Sequence, residues 1–332
     1  MMSKLFSKKY LLLLGALAVV LPFFVENRFY LNILILILLF ATISSAWNIL
    51  GGYAGQLSLG HVIFFGVGAY TSSLLYLKAG VSPWIGMFVA VLVAILAGVL
   101  IGYPTFRLKG TYFTLATIAF AEVLRHVTLF WRDLTNGSMG INIPFEPGIE
   151  NLIFREYSSY YWIALVLFLI TLGIMYWIEH TKIGFYLKAI REDQDSAQTL
   201  GINTTKYKMF AMMISAGLTG IAGVLYAQYM LYFEPESVFN LNLSIEIALI
   251  AIVGGIGTIY GPLLGAAIII PLNEILRSSF PGLNGMNYLI YGVMLILIVS
   301  FMPNGLLPIL KRFVSRFSRK KVEGGEQNDF TS

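Results

Sequence analysis

Long apolar blocks alternate with short polar interruptions along almost the whole chain, and the blocks approach the roughly 20 residues that a helix needs to cross a bilayer core. Seven stand out, near residues 10–25, 29–50, 57–77, 83–103, 111–130, 159–178 and 208–229. Residues 244–276 form one further block, interrupted by Gly254-Gly255-Ile256-Gly257 and by Tyr260-Gly261-Pro262, and a last span falls near 286–307. On either side of the glycine break the segments are about 15 residues long, short of a full crossing. Two short spans or a re-entrant segment packed inside the protein both fit, because broken backbone at membrane depth persists only where protein or water satisfies it.

The distribution of Lys and Arg sets the number of crossings, since cytoplasmic loops of membrane proteins carry the excess. Ten crossings place Lys4, Lys8 and Lys9, Arg107 and Lys109, the loop from Lys182 to Lys208, and the tail from Lys311 to Lys321 on one side, leaving Arg28, Lys78, Arg132, Arg155 and Arg277 on the other. The fold class expected is all-α: a polytopic helical membrane protein of about ten transmembrane segments, some of them short or broken at glycine. Both termini are expected in the cytoplasm. The transmembrane domain is expected over 1–310, with a cytoplasmic loop at 179–207, an extracytoplasmic loop at 131–158 and a basic, then polar, tail at 311–332. Residues 10–25 have a basic flank like a secretory signal. No small-x-small site follows them at Pro22-Phe23-Phe24, so an uncleaved span is expected.

Composition agrees with this class: 58% of residues are hydrophobic and 12% charged, against roughly 25% charged in soluble domains. The net charge of +5 follows from the positive-inside bias and does not require nucleic acid. The chain has no Cys, which excludes disulfides and thiolate metal sites. No metal or cofactor is expected. Phosphate-binding GxxxxGK[ST], GxSxG and HExxH motifs are all missing, so no catalytic residue is expected, and any ATP that drives the protein is hydrolysed by another polypeptide.

Charge is concentrated in one place. Between Glu179 and Lys208 lie nine charged residues, from a chain total of 22 Lys and Arg and 17 Asp and Glu. Within this island, Ala189 to Leu200 reads as a short helix ended by Gly201. A solvated connector and a docking element are equally compatible with that pattern. Two clusters of glycine, Gly51 to Gly68 and Gly254 to Gly265, suit either close helix packing or unwound turns lining a pathway. Few ionisable groups fall inside spans: Glu122, Arg125 and His126, Glu246, Glu274 with Arg277, and His61. The i,i+3 pairs read as structural ion pairs, whereas Glu246 lacks a local partner.

The segments Asn48–Tyr70 (NILGGYAGQLSLGHVIFFGVGAY), Lys109–Arg125 (KGTYFTLATIAFAEVLR), Gly184–Asn203 (GFYLKAIREDQDSAQTLGIN), Gly254–Ala266 (GGIGTIYGPLLGA) and Tyr291–Pro308 (YGVMLILIVSFMPNGLLP) occur in order. In these the chain resembles the branched-chain amino acid permeases of ABC importers, specifically their M-type subunit. The resemblance implies a permease of the bacterial inner membrane that pairs with a homologous second permease, two cytoplasmic ATPase subunits and an extracytoplasmic binding protein. It makes the island a coupling loop, with Arg191, Glu192, Asp193, Asp195, Ala197 and Gly201 meeting the ATPase; Ser196-Ala197 stands where other importers have an Ala-Ala pair. Ser58, His61, Thr114, Ser244 and Glu246 are the polar candidates for the translocation pathway. A permease for urea or short amides is the nearest alternative, followed by an ion-coupled secondary transporter; a membrane enzyme lacks a constellation.

Overall fold

A computed structural model describes residues 27–279, together with residues 20, 22, 24 and 25 and isolated positions between 289 and 306. The spans expected near 10–25 and 286–307, and the tail, therefore lie almost wholly outside the described residues. The helices are α1 (Arg28–Asn48), which runs on into a π-helical turn at Ile49–Tyr53, α2 (His61–Ala79), α3 (Pro83–Thr105), α4 (Thr111–Phe130), the short α5 (Arg132–Thr135), α6 (Tyr157–Glu179), α7 (Lys182–Glu192), α8 (Gln194–Thr199), α9 (Thr204–Met230), the short α10 (Pro235–Val238), α11 (Leu241–Gly255) and α12 (Gly261–Ser279). Two-residue strands β1 (Ile141–Asn142) and β2 (Tyr232–Phe233) pair antiparallel, Ile141 opposite Phe233. Among the described residues, 7 helical stretches are long and apolar enough to cross a membrane, α10 and α11 counting as one. The chain is thus a polytopic helical membrane protein.

Local sequence sets the helix ends. The side chains of Asn27, Asn203 and Asn240 accept hydrogen bonds from the backbone amides of Phe29, Lys206 and Asn242, capping α1, α9 and α11. Pro83 opens α3 at a position where its missing N–H costs nothing. Gly80, at φ 63°, closes α2 with its own amide and that of Val81 turned back to Tyr76 and Leu75.

In sequence order the long helices run alternately up and down, so their ends gather at two poles. One pole holds the island, the segment after α1, the turn after α11 and the α3–α4 connection; contacts of Arg191, Lys109 and Lys208 join them. The opposite pole is closed by residues 131–156, a long connection that is folded rather than loose. Ile141, Ile143, Leu152 and Ile153 are buried in it. It is fastened to helix ends by Lys78 Nζ on Asp133 O (2.7 Å), Trp84 Nε1 on Ile149 O (2.7 Å) and Ile143 N on Leu231 O (2.7 Å).

The centre is the α2–α3–α9 triplet, held at short range by small residues. A Cβ on Gly68 would fall on the backbone of Gly220, and one on Gly223 on the carbonyl of Phe65. Such proximity recovers van der Waals contact where lipid offers no hydrophobic gradient between helices. The 244–276 block resolves into α11 and α12, packed side by side about the turn at residues 256–260, with Gly254 and Gly265 at their contact.

Because backbone cannot yield as a side chain does, Gly68→Ala and Gly223→Ala should each destabilise the detergent-solubilised protein by about 1–3 kcal/mol. Gly173→Ala, with nothing within 4 Å of the new methyl, should leave the thermal midpoint unchanged or raised. Equal midpoints for all three would refute the close-packing account.

Candidate functional site

The island is two helices, not one. α7 ends where Asp193 turns to extended backbone (φ −156°, ψ 116°), and α8 starts there, its first turn capped by Asp193 Oδ1 accepting from Ser196 N at 2.5 Å. That hydrogen bond, given by the backbone amide, holds the Asp193 carboxyl below the usual carboxylate range. Gly201 (φ 82°) ends α8 in the left-handed conformation, as its position in the sequence predicts.

The six residues expected to meet an ATPase do not all face the same way. Glu192, Asp193 and Asp195 are exposed, and Asp195 forms a solvent-exposed pair with Lys109 at 2.7 Å, a contact of small energetic weight. Ala197 is 2% exposed and packed against the chain itself, so a bulky replacement there disturbs the island before any partner feels it. Gly201 has open space around it. Arg191 is exposed as well, yet its Nη1 reaches the chain's own backbone, donating to Gly52 O at 2.8 Å. Sequence reasoning missed Leu200, which is 80% exposed at the tip of the island. Its signal was an apolar residue beside a helix-ending glycine, in the middle of a charged stretch.

Beneath the island, the two places where helix breaks meet each other. Asn48 spans them: its Nδ2 donates to Thr258 O at 2.9 Å, and its Oδ1 accepts from Gly257 N at 2.8 Å. Tyr53, at the end of the π-turn, donates to Glu179 Oε2 at 3.1 Å, and Lys188 Nζ sits 3.1 Å from Glu179 Oε1 and over the Tyr53 ring. The island thus holds the π-turn at two points, through Arg191 and through the Glu179–Lys188 pair.

The pathway candidates fall into two groups at opposite poles. Ser58, His61 and Thr114 belong to the island pole. His61 is buried, with Nδ1 3.1 Å from Ser58 Oγ and Nε2 2.7 Å from Ser215 Oγ, while Ser215 donates to Ala46 O at 2.6 Å. Since Ser215 spends its proton on Ala46, it accepts from Nε2–H, and Ser58 donates to Nδ1; the network assigns a neutral ring with every site filled. Thr114 donates to Leu57 O at 2.7 Å. These three side chains fasten residues 54–60. Toward the other pole, Ser244 is buried with no hydrogen-bond partner for its hydroxyl among the described residues, and Glu246 accepts from Asn273 Nδ2 at 3.2 Å. The expected pairs Glu122–Arg125 (2.8 Å) and Glu274–Arg277 (3.8 Å) are both present, and Arg125 also reaches Glu236 on α10. Replacing His61 by Leu strands the Ser58 hydroxyl; the expected cost is about 1–3 kcal/mol, read as a lowered midpoint, and an unchanged midpoint would show the network to be dispensable for folding.

The chain matches the family described as branched-chain amino acid transport system / permease component over residues 29–299. It is 30% identical to the high-affinity branched-chain amino acid transport system permease protein LivM of Salmonella typhimurium, an alignment covering 92% of this chain and 76% of that protein. The probable LivM permease of Methanocaldococcus jannaschii is 24% identical, over 79% of this chain and 82% of its own length. The high-affinity branched-chain amino acid transport system permease protein LivH of Salmonella typhimurium is 25% identical over 81% of this chain and 91% of that protein. No solved structure matches. The family match at residues 29–299 spans the π-turn, the island and the glycine hairpin, and the chain belongs to the family of branched-chain amino acid transport permeases.

Proposed function

We propose that the chain is the permease subunit of an ATP-driven importer that carries leucine, isoleucine and valine across the bacterial cytoplasmic membrane. The family match supports the transport role, and one structural observation supports the ATP-driven mechanism: the island is tethered inward by Arg191 and Lys188 while presenting Glu192, Asp193 and Leu200 outward. An element held on one side and free on the other suits a part that another protein pushes. The partners in this reading are a homologous second permease, two cytoplasmic ATPase subunits and an extracytoplasmic binding protein that docks on the folded cap at 131–158, with membrane lipid around the rest. The chain crosses the membrane ten times with both termini in the cytoplasm, and the coupling loop is 179–207. The chain itself is not an enzyme.

Asp193 caps α8, so its reversal removes the helix start along with a charge; Glu192 is the cleaner site. Glu192→Lys and Leu200→Asp should leave the amount of permease in the membrane unchanged and reduce leucine uptake by about tenfold or more, the loss expected when an interface anchor or its charge register fails. Native uptake in both variants would remove the island from the interface. Purification of the tagged permease from its own membranes should bring an ATPase and a second permease with it. Uptake by the single chain in proteoliposomes under an ion gradient alone would instead establish a secondary transporter, and urea uptake without leucine uptake the amide-permease alternative.

The topology has its own test, made clean by the absence of native cysteine. An impermeant thiol reagent applied to cells with a sealed inner membrane should label Met139→Cys, which lies exposed in the cap, and spare Ser332→Cys. Labelling of the second position would overturn the ten-crossing arrangement.

A further inference from the structure

Arg191, in the island, touches both broken segments. Its guanidinium donates to Gly52 O in the π-turn, and a Cβ on Gly257, in the turn between α11 and α12, would fall on its Nη1. A Cβ on Gly55 would in turn press on its Cα and Cβ at 3.1 and 3.3 Å. Glycine at these places makes room for one arginine. Gly55 and Gly257 both have positive φ, 68° and 73°, so two backbone bends and the arginine fit each other. The link continues past Gly52, because Asn48 clamps Gly257 and Thr258 from the opposite side. Island, π-turn and hairpin turn form a closed ring of contacts: Arg191 to Gly52, Gly52 against Gly257 through Asn48, Gly257 back to Arg191.

Resting on the reading of the chain as an ATP-driven permease, we propose that Arg191 is the positioning residue that makes the island, residues 49–60 and residues 256–260 move as one body. The Lys188–Glu179–Tyr53 link ties the island to the π-turn; Arg191 ties it to the π-turn and to the turn between α11 and α12. Through Arg191 a push on the island reaches residues 52–55 after α1 and Gly257 after α11. Lysine keeps a donor for Gly52 O but presents a point in place of the planar group whose Nη1 and Cζ lie nearest Gly257.

The test uses the complete transporter, with both permeases, the ATPases and the binding protein, in proteoliposomes. ATP hydrolysed per leucine imported is compared for the native permease, Arg191→Lys and Arg191→Ala. The ratio should rise about fivefold or more in Arg191→Ala, with Arg191→Lys between. A native ratio in an assembled Arg191→Ala complex overturns the proposal. A second measurement keeps Arg191 in place and decides the matter even if the alanine variant does not assemble. Spin labels at Lys182→Cys, exposed on the helix that carries Arg191, and at Ile259→Cys should keep their separation within about 2 Å between nucleotide-free and nucleotide-trapped states, while the separation from Lys182→Cys to Met139→Cys changes. If the first pair separates further than that, the segments do not move together. Absence of ATP-driven leucine uptake by the native complex overturns the permease reading instead, an outcome separate from either of these.

Discussion

A helix that breaks inside a membrane protein leaves backbone donors and acceptors with no water to receive them, and this constraint organises the pole where the island lies. The chain breaks there twice, after α1 and after α11, and the side chains around each break are assigned to the orphaned groups. Asn48 takes the amide of Gly257 and the carbonyl of Thr258; Arg191 takes the carbonyl of Gly52. Trp47 Nε1 donates to Ser58 O at 2.6 Å, Thr114 to Leu57 O, and Thr117 Oγ1 accepts from Leu59 N at 3.1 Å. The two breaks are tolerated because each helps to satisfy the other. Removing either would leave the remaining one with buried polar groups unpaired, a cost that neither helix packing nor local propensity offsets.

Small residues are what bring these groups within reach. The α2–α9 contact at Gly68 and Gly223 sets the two helices close enough for His61, at the start of α2, to bond Ser215 on α9 and, through it, the carbonyl of Ala46 on α1. Packing and polar satisfaction are therefore not separate contributions. A methyl inserted between α2 and α9 acts on the hydrogen bonds at the end of α2 as well as on van der Waals contact.

The sequence made the helices legible because apolar length is a strong signal: α2, α3, α4 and α6 fall within a few residues of their expected spans. It located the island and its terminal glycine for the same reason, charge being scarce elsewhere. What it left hidden depends on direction and distance. Arg191 stands in a charged run and nothing in the run says that it bonds the backbone of Gly52; Ala197 belongs to a short motif and nothing in the motif says that its own chain covers it. His61 lacks a neighbouring carboxylate or second His in sequence, yet its partners Ser58 and Ser215 are three and 154 residues away. In sequence the loop at 131–158 reads only as an extracytoplasmic connection, because its burial rests on Ile141, Ile143, Leu152 and Ile153 meeting helix ends that come from elsewhere in the chain.

The island's charges divide between contacts within the chain and exposed positions. Lys188 pairs with Glu179, Arg191 donates to Gly52 O and Lys208 to Gln194. Lys182, Lys206, Glu192, Asp193 and Asp195 are exposed, with Asp195 balanced by Lys109 and Glu192 free of any ion pair among the described residues. Phe185 and Leu200 stand exposed among them. Sign therefore does not say which way a residue faces: Glu179 turns inward with Lys188, and Lys206 is exposed with Glu192. Only a charge followed to its own partner tells a tether from a surface that another protein can meet.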